Sequence, residues 1–150
     1  MTQWNSINEV LQYAIGEEQA AADFYTQLAG QVKVPGMREV LASFAQEEMK
    51  HKAKLEGIQA GGAFKPSGEQ VANLKVAEYI VDVMPDPNVD YRGVLVIAMK
   101  KEKAAFKLYT DLAASTADST IRETFLALAQ EEARHKLHFE VEYDDLLAEN

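Results

Sequence analysis

Hydrophobic residues recur at three- and four-residue steps along four long segments, a spacing that places them on one face of an α-helix. The first two stripes consist of Ile7, Leu11, Ala14, Ala21, Tyr25, Leu28 and Val32, and of Met37, Leu41, Phe44, Leu55 and Ile58. The other two consist of Tyr91, Leu95, Ala98, Ala105, Tyr109 and Leu112, and of Ile121, Phe125, Leu128 and Phe139. No long segment alternates with the period of a strand. The pattern predicts an all-α chain with four main helices.

Polar residues and prolines mark where these helices should begin. Ser6 and Glu9 form a capping box before the first helix, and Asp90 can cap the third. Pro35 suits the first turn of the second helix. The fourth helix has two candidate caps, Asp118 and Ser119. Between the second and third helices we expect a crossover over about residues 60–89, with a short helix around residues 74–83 that Pro85 and Pro87 end.

The two halves of the chain are a duplication. Position 18 corresponds to position 102, and each remaining residue of the first half has its counterpart the same number of positions later. Residues 18–25, Glu-Gln-Ala-Ala-Ala-Asp-Phe-Tyr, align with residues 102–109, Glu-Lys-Ala-Ala-Phe-Lys-Leu-Tyr. Residues 45–52 align in the same way with residues 129–136. Two helix hairpins related by such a repeat, joined by a long crossover, predict one four-helix-bundle domain over residues 1–150, with halves at about 6–59 and 90–148.

Each stripe also carries ionisable side chains where a core residue is expected: Glu18, Glu48 and His51 in the first half, and Glu102, Glu132 and His135 in the second. Buried carboxylates are costly unless they are paired or bound to a metal. Residues three apart are neighbours on a helix, so each Glu-x-x-His pair can reach one ion.

Two divalent cations would balance four carboxylates and two neutral imidazoles, so we expect these six residues to bind two metal ions. The alternative is a buried salt-bridge network, but no Lys or Arg lies on the four stripes. Mixed carboxylate and imidazole ligands suit iron, and also Mn²⁺ or Zn²⁺.

Two tyrosines on the stripes are candidates for a supporting role at the metal site. Tyr25 and Tyr109 follow Glu18 and Glu102 by two turns, and each either hydrogen-bonds a ligand carboxylate or is an ordinary core tyrosine. His138 has Lys54 as its repeat counterpart, so we expect it at the surface. Trp4 is expected to be a packing residue.

Composition narrows the possible functions. The chain contains no cysteine, which excludes disulfides and thiolate-bound iron sites from this sequence. A formal charge of −9 disfavours nucleic acids and anionic membranes as partners. No apolar run reaches membrane-spanning length and the N-terminus does not resemble a signal peptide, so a cytoplasmic protein is expected.

With these motifs in view, the sequence resembles the rubrerythrin and ferritin-like di-iron proteins over nearly its whole length. The resemblance rests on the Glu18–Tyr25 and Glu102–Tyr109 segments and on the two Glu-x-x-His pairs. It implies a ferritin-like bundle with a di-iron centre that reacts with hydrogen peroxide or dioxygen, and frequent homodimers, in which an exchange of helices between subunits would preserve the same ligands.

Two departures from that family shape the expected function. The sequence contains no rubredoxin module, so electrons would come from a separate donor such as a rubredoxin-like protein or a reductase. Rubrerythrins also have a further ligand Glu one turn after the third-helix Glu, where this chain has Ala105, with Ala21 as its counterpart. A peroxide or dioxygen reductase is therefore expected, with iron handling by a ferroxidase and a metal-binding scaffold without turnover as alternatives.

Overall fold

The computed structural model describes residue 4, residues 6–81 except the side chain of residue 76, and residues 90–148. All regular elements in these ranges are helical, which confirms the all-α prediction. They are α1 (Ile7–Gln31), α2 (Met37–Gly61), α3 (Gly68–Ala72), a 3₁₀ turn (Val76–Glu78), α4 (Tyr91–Ala114) and α5 (Ser119–Ala148). Helices α1, α2, α4 and α5 are the four predicted from the stripes.

The long helices pair as two hairpins, α1 with α2 and α4 with α5, and each hairpin is the centre of its own compact unit. In the first unit, Gln59 donates to Asn8 and Lys52 donates to Gln19, so the two helices run antiparallel. In the second unit the Tyr91 hydroxyl lies 3.4 Å from a carboxylate oxygen of Glu142, which brings the start of α4 close to the end of α5.

Three of the predicted helix caps are present. The Ser6 hydroxyl accepts from the Glu9 amide at 3.3 Å, and the Asp90 carboxylate accepts from the Gly93 amide at 2.9 Å. Of the two candidates for α5, Asp118 is the cap, since its carboxylate accepts from the Ile121 amide at 3.0 Å. Each cap satisfies a backbone N–H that the first turn leaves without an intrahelical partner.

Helix α2 begins at Met37, two residues after Pro35, so the prediction that Pro35 lies in its first turn was wrong. Gly36 is the N-cap residue and has a left-handed backbone with φ of 86°, which breaks the helical path between Pro35 and Met37. Pro35 therefore lies in the preceding turn. At the other end Gly62, also left-handed at φ of 67°, terminates the helix as glycine commonly does.

The helical part of the crossover also differs from the prediction. Helix α3 begins at Gly68 because Ser67 and Gln70 cap each other: the Gln70 amide donates to the Ser67 hydroxyl, and the Ser67 amide donates to the Gln70 side chain. The 3₁₀ turn follows at Val76–Glu78. Within the described part of the predicted helix around residues 74–83, only this 3₁₀ turn is helical, and α3 lies before it. The predicted end at Val83, Pro85 and Pro87 lies outside the described residues.

The predicted stripes form the core of each hairpin. In α2 and α5 nearly every stripe residue is buried, and Leu41, Leu55, Phe125, Leu128 and Phe139 are fully so. In α1 and α4 the burial extends beyond the stripe, to Val10, Ile15, Ala22 and Ala29, and to Ile97, Leu108 and Ala113. The ionisable residues therefore lie within an apolar layer that excludes water.

Candidate metal centre

The first hairpin brings together one Glu from α1 and the Glu-x-x-His pair of α2. The Nδ1 atom of His51 lies 3.4 Å from a carboxylate oxygen of Glu18 and 3.4 Å from one of Glu48. One potential ligand atom from each of the three residues lies within 4.8 Å of the others. All three side chains are almost completely buried, with at most 2% of each residue exposed.

The second hairpin repeats this arrangement with Glu102 on α4 and Glu132 and His135 on α5. The His135 Nδ1 atom lies 3.7 Å from a carboxylate oxygen of Glu102. Potential ligand atoms of the three residues again lie within 4.8 Å of one another, and all three residues are buried. Each hairpin therefore holds a buried cluster of two carboxylates and one imidazole, made of the residues predicted from the sequence.

Helical spacing explains how each cluster forms. Glu48 and His51 lie three residues apart on α2, so their side chains project from the same face one turn apart. Glu18 reaches them from the facing helix. Leu41 and Leu55, which lie seven residues before Glu48 and after it, are fully buried, so apolar layers bound the cluster on this helix. The same spacing holds for Glu132 and His135.

The donor set of each cluster fits a divalent cation. Two ligands bonded to one ion at about 2.1 Å are themselves about 3.0–3.4 Å apart, close to the distances seen here between imidazole nitrogens and carboxylate oxygens. A protonated imidazole would balance only one of the two carboxylates, whereas a divalent ion balances both and leaves the imidazole neutral as a ligand. The ligand types do not distinguish Fe²⁺ from Mn²⁺ or Zn²⁺.

The two predicted tyrosines are both buried, and each packs against a phenylalanine of the opposite helix. The Tyr25 ring meets Phe44 edge to face at 6.3 Å, and the Tyr109 ring stacks on Phe125 at 6.4 Å. Their roles as core residues are evident from this packing. A hydrogen bond from either hydroxyl to a ligand carboxylate stays a prediction.

The other residues near the motifs lie where the sequence predicted or close to it. His138 is exposed, as expected from its counterpart Lys54, and Trp4 is buried with its ring 5.3 Å from that of Tyr13. Ala21 and Ala105 are half-buried, and their methyl side chains offer no ligand atom to either cluster.

One polar cluster of the second unit escaped the sequence analysis. The Tyr79 hydroxyl donates to the Asp111 carboxylate at 2.6 Å, and Lys107 lies 3.2 Å from the same carboxylate oxygen. Burial, together with Asp111 and Glu78, raises the pKa of Tyr79 well above its ordinary value. Tyr79 and Asp111 are too far apart in the sequence for a periodicity to relate them. The cluster attaches the chain that follows the 3₁₀ turn to the side of α4.

Comparison with known proteins agrees with the arrangement of these residues. Residues 9–143 match the family model described as rubrerythrin. Among solved structures, a hypothetical protein from Pyrococcus furiosus, Pfu-1136390-001, matches with a TM-score of 0.77 and 26% identity, covering 95% of this chain and 91% of that one. No curated protein matches the sequence significantly. Within the described ranges, no helix is both long enough and apolar enough to cross a bilayer.

Proposed function

The chain belongs to the rubrerythrin family, and on that premise we propose that it is a cytoplasmic di-iron oxidoreductase that reduces hydrogen peroxide or dioxygen. The observation that carries the proposal is the pair of buried clusters with the same three residue types at equivalent positions of the repeat. A single cluster would suit many mononuclear sites. Two matching clusters in a protein of this family favour a dinuclear centre.

We further propose that the two hairpins pack as one ferritin-like bundle, so that the clusters share one centre. Glu18 and Glu102 would each bind one metal ion, as would His51 and His135. Glu48 and Glu132 would bridge the two ions. Two Fe²⁺ ions, when bound, supply the two electrons that convert hydrogen peroxide and two protons into two water molecules.

The protein residues contribute position, charge and exclusion of water. The carboxylates hold the charge of the site close to zero, and the neutral imidazoles leave that balance unchanged. Tyr25 and Tyr109, if their hydroxyls donate to ligand carboxylates, would fix the orientation of those ligands. Because the sequence contains no cysteine, the electrons that restore Fe²⁺ would come from a separate donor protein.

A second candidate, a ferroxidase that serves iron handling, is favoured by one observation. Ala21 and Ala105 occupy the positions where the resemblance to rubrerythrins leads us to look for a further carboxylate. A site with six ligands has fewer ways to rearrange around an iron ion that changes oxidation state. Such a site would still promote the oxidation of Fe²⁺ by dioxygen or hydrogen peroxide, and the Fe³⁺ would then be released rather than reduced again.

Rapid mixing of the anaerobic Fe²⁺ protein with peroxide or dioxygen tests both candidates. The reductase predicts oxidation of two irons per chain, at least about ten-fold faster than free Fe²⁺, and repeated turnover when a reductant is added. Fast oxidation of two irons that are then released favours the ferroxidase. Oxidation no faster than that of free Fe²⁺ would contradict both and leave a scaffold role.

Matched variants identify the residues responsible. Replacing Glu48 and Glu132 by Gln should abolish the fast phase, because the charge that balances the metal ions is lost. The control replaces Glu47 and Glu131, the neighbouring half-buried residues, by Gln. Equal loss in both pairs would show that the effect is general destabilisation. Metal analysis of protein isolated from its native host identifies the bound metal.

A further inference from the structure

A hollow of about 320 Å³ lies between α1 and α2 of the first hairpin. Its floor consists of buried alanines, Ala22, Ala29 and Ala45, which are between 4% and 8% exposed. Its rim consists of exposed or half-buried residues, namely Gln19, Asp23, Thr26, Ala42, Gln46 and Met49. The hollow therefore opens to solvent and ends at a floor of methyl groups.

The floor of this hollow adjoins the cluster of the first hairpin. Ala22 lies one turn after Glu18 on α1, and Ala45 lies one turn before Glu48 on α2. Residues one turn apart on a helix are neighbours, so each alanine lies beside a carboxylate of the cluster. The Cα–Cβ bond of a helical residue also tilts toward the N-terminus of its helix, which directs the Glu48 side chain toward Ala45. The floor is therefore close to both carboxylates, with a methyl group beside each.

Along the helix axes the same cluster is bounded by larger side chains. Leu41 and Leu55 lie before and after it on α2, and both are fully buried. One turn beyond the floor of the hollow, the Tyr25 ring packs edge to face on Phe44, with 6.3 Å between ring centroids. Closely packed layers of leucine and aromatic rings leave little free volume for a diffusing molecule. The side of the cluster that faces the hollow is bounded by alanine instead.

Hydrogen bonds fix the polar side chains at one side of the rim. Gln19 donates to the Asp23 carboxylate at 3.0 Å, and because both residues belong to α1 this bond runs along the hollow rather than across it. Lys52 of α2 donates to Gln19 at 2.8 Å, and Lys52 itself is not a lining residue. Met49, 42% exposed, is the largest apolar side chain of the lining. Its position at the rim makes it the side chain that an entering molecule meets before the alanine floor.

We propose that hydrogen peroxide or dioxygen reaches the first cluster through this hollow, and that Met49 and the alanine floor limit the size of the molecule admitted. The inference rests on the proposed function, in which a small oxidant must reach residues that are at most 2% exposed. Peroxide and dioxygen need only a small displacement of the methyl groups beside Glu18 and Glu48. A bulkier hydroperoxide is obstructed at Met49, and the floor keeps bulk water from the cluster.

Entry can be measured without turnover by following nitric oxide, a stand-in for dioxygen, as it binds to the anaerobic Fe²⁺-loaded protein. Because the sequence contains no cysteine, Ala42→Cys at the exposed rim provides a single thiol for benzyl methanethiolsulfonate. The attached benzyl group should slow roughly half or more of the absorbance change by about ten-fold, and dithiothreitol should restore the rate by removing it. Ala60→Cys, exposed near the end of α2 and labelled in the same way, should bind nitric oxide at the natural rate.

The size limit is tested with tert-butyl hydroperoxide, which takes up the same two electrons and two protons as hydrogen peroxide and yields tert-butyl alcohol and water. Met49→Ala should raise the rate of iron oxidation by this reagent, relative to hydrogen peroxide, by about five-fold or more, since the rim is then wider. Leu137→Ala truncates a side chain that is 60% exposed on the second hairpin, and it should leave the ratio unchanged. Ala22→Val, which adds methyl groups to the floor, should slow nitric oxide binding by about five-fold.

These measurements separate the entrance from the reaction. Nitric oxide that binds to labelled Ala42→Cys as fast as to the unlabelled variant would overturn the entrance, even if peroxide oxidises the iron rapidly. Slower binding after labelling supports the entrance, even if peroxide oxidises bound iron no faster than free Fe²⁺, which would contradict the proposed function alone. An unchanged hydroperoxide ratio in Met49→Ala would overturn the size limit. Circular dichroism and iron content, expected to be unchanged in every variant, show that the fold and the metal centre are intact.

Discussion

The two hairpins carry the same ionisable residues on their buried faces and different residues on their exposed faces. Every ionisable residue of the first cluster has an identical counterpart in the second, and Tyr25 has Tyr109. On the exposed faces the residues differ in size: the first hairpin has Ala42 where the second has Leu126, and both are exposed. The two halves thus keep the same ionisable residues at the buried cluster positions, whereas the size of the side chain changes at exposed positions.

The apolar layer beside each cluster is intermediate between these extremes. In the first hairpin Leu41 and Phe44 occupy positions one turn apart, and in the second their counterparts are Phe125 and Leu128. The phenylalanine and the leucine have exchanged places, so the total side-chain volume is the same in both hairpins. Each tyrosine still packs against a phenylalanine, edge to face on Phe44 and stacked on Phe125.

The largest expected effect comes from truncating these rings. Phe44→Ala and Phe125→Ala should each lower the free energy of unfolding by roughly 3–5 kcal/mol, because each leaves a cavity in a closely packed layer. The exchange variant, Leu41→Phe with Phe44→Leu, keeps the volume and should cost less than about 1.5 kcal/mol. Urea unfolding measures all three. An exchange as costly as a truncation would mean that the two layers are not equivalent.

A smaller effect is expected from metal binding, and it tests the likeness of the two clusters. Ligand at 100 times its dissociation constant stabilises a protein by about 2.7 kcal/mol, so Fe²⁺ should raise Tm by roughly 5–10 °C for a chain of this size. His51→Ala and His135→Ala should each remove a similar part of this rise. His138→Ala, at an exposed position, is the control. A loss confined to one hairpin would show that the clusters do not act as one centre.

The smallest effect concerns the contact between Tyr79 and Asp111 beside α4. Tyr79→Phe should lower the free energy of unfolding by about 1.5 kcal/mol, because the Asp111 carboxylate loses a short hydrogen bond. In the first hairpin the counterpart of Asp111 is Gln27, so no such attachment is expected there. Tyr91→Phe is the control, since the Tyr91 hydroxyl lies farther from its carboxylate partner, at 3.4 Å.

The same contact should make stability depend on alkaline pH. The pKa of Tyr79 is raised in the folded protein by burial and by Asp111. The unfolded chain therefore loses its phenolic proton first, at about pH 10. The stabilisation by Tyr79 is complete below that pH and decreases above it. Urea unfolding at neutral pH and above pH 10 should show the difference between the natural protein and Tyr79→Phe decreasing; a constant or growing difference would contradict this account.

The sequence predicted the features that depend on local periodicity. The four long helices follow from stripes of apolar residues, and the caps at Ser6, Asp90 and Asp118 from side chains that can accept backbone hydrogen bonds. Both clusters were predictable because acidic residues and histidines on an apolar stripe need a compensating partner. The repeat then showed that neither motif was an isolated coincidence.

Features that depend on backbone conformation or on distant partners were missed. Gly36 adopts a left-handed conformation that no stripe indicates, and it moved the start of α2 past Pro35. The pair Ser67 and Gln70 is a recognisable capping signal, but the glycine between them indicates a helix break. The hydrogen bond from Tyr79 to Asp111 joins residues that are far apart in the sequence, so no local pattern indicates that they are close.

The repeat has a consequence for how such a protein can change. If two separate, identical chains supplied the hairpins, one gene would encode both outer surfaces, and any mutation would appear on both at once. Joining the copies in one chain, as the aligned halves do here, lets each surface mutate independently while the Glu and His residues of the two clusters stay the same. Fusion therefore allows two hairpins with the same buried residues to have unlike exposed surfaces, each open to its own selection.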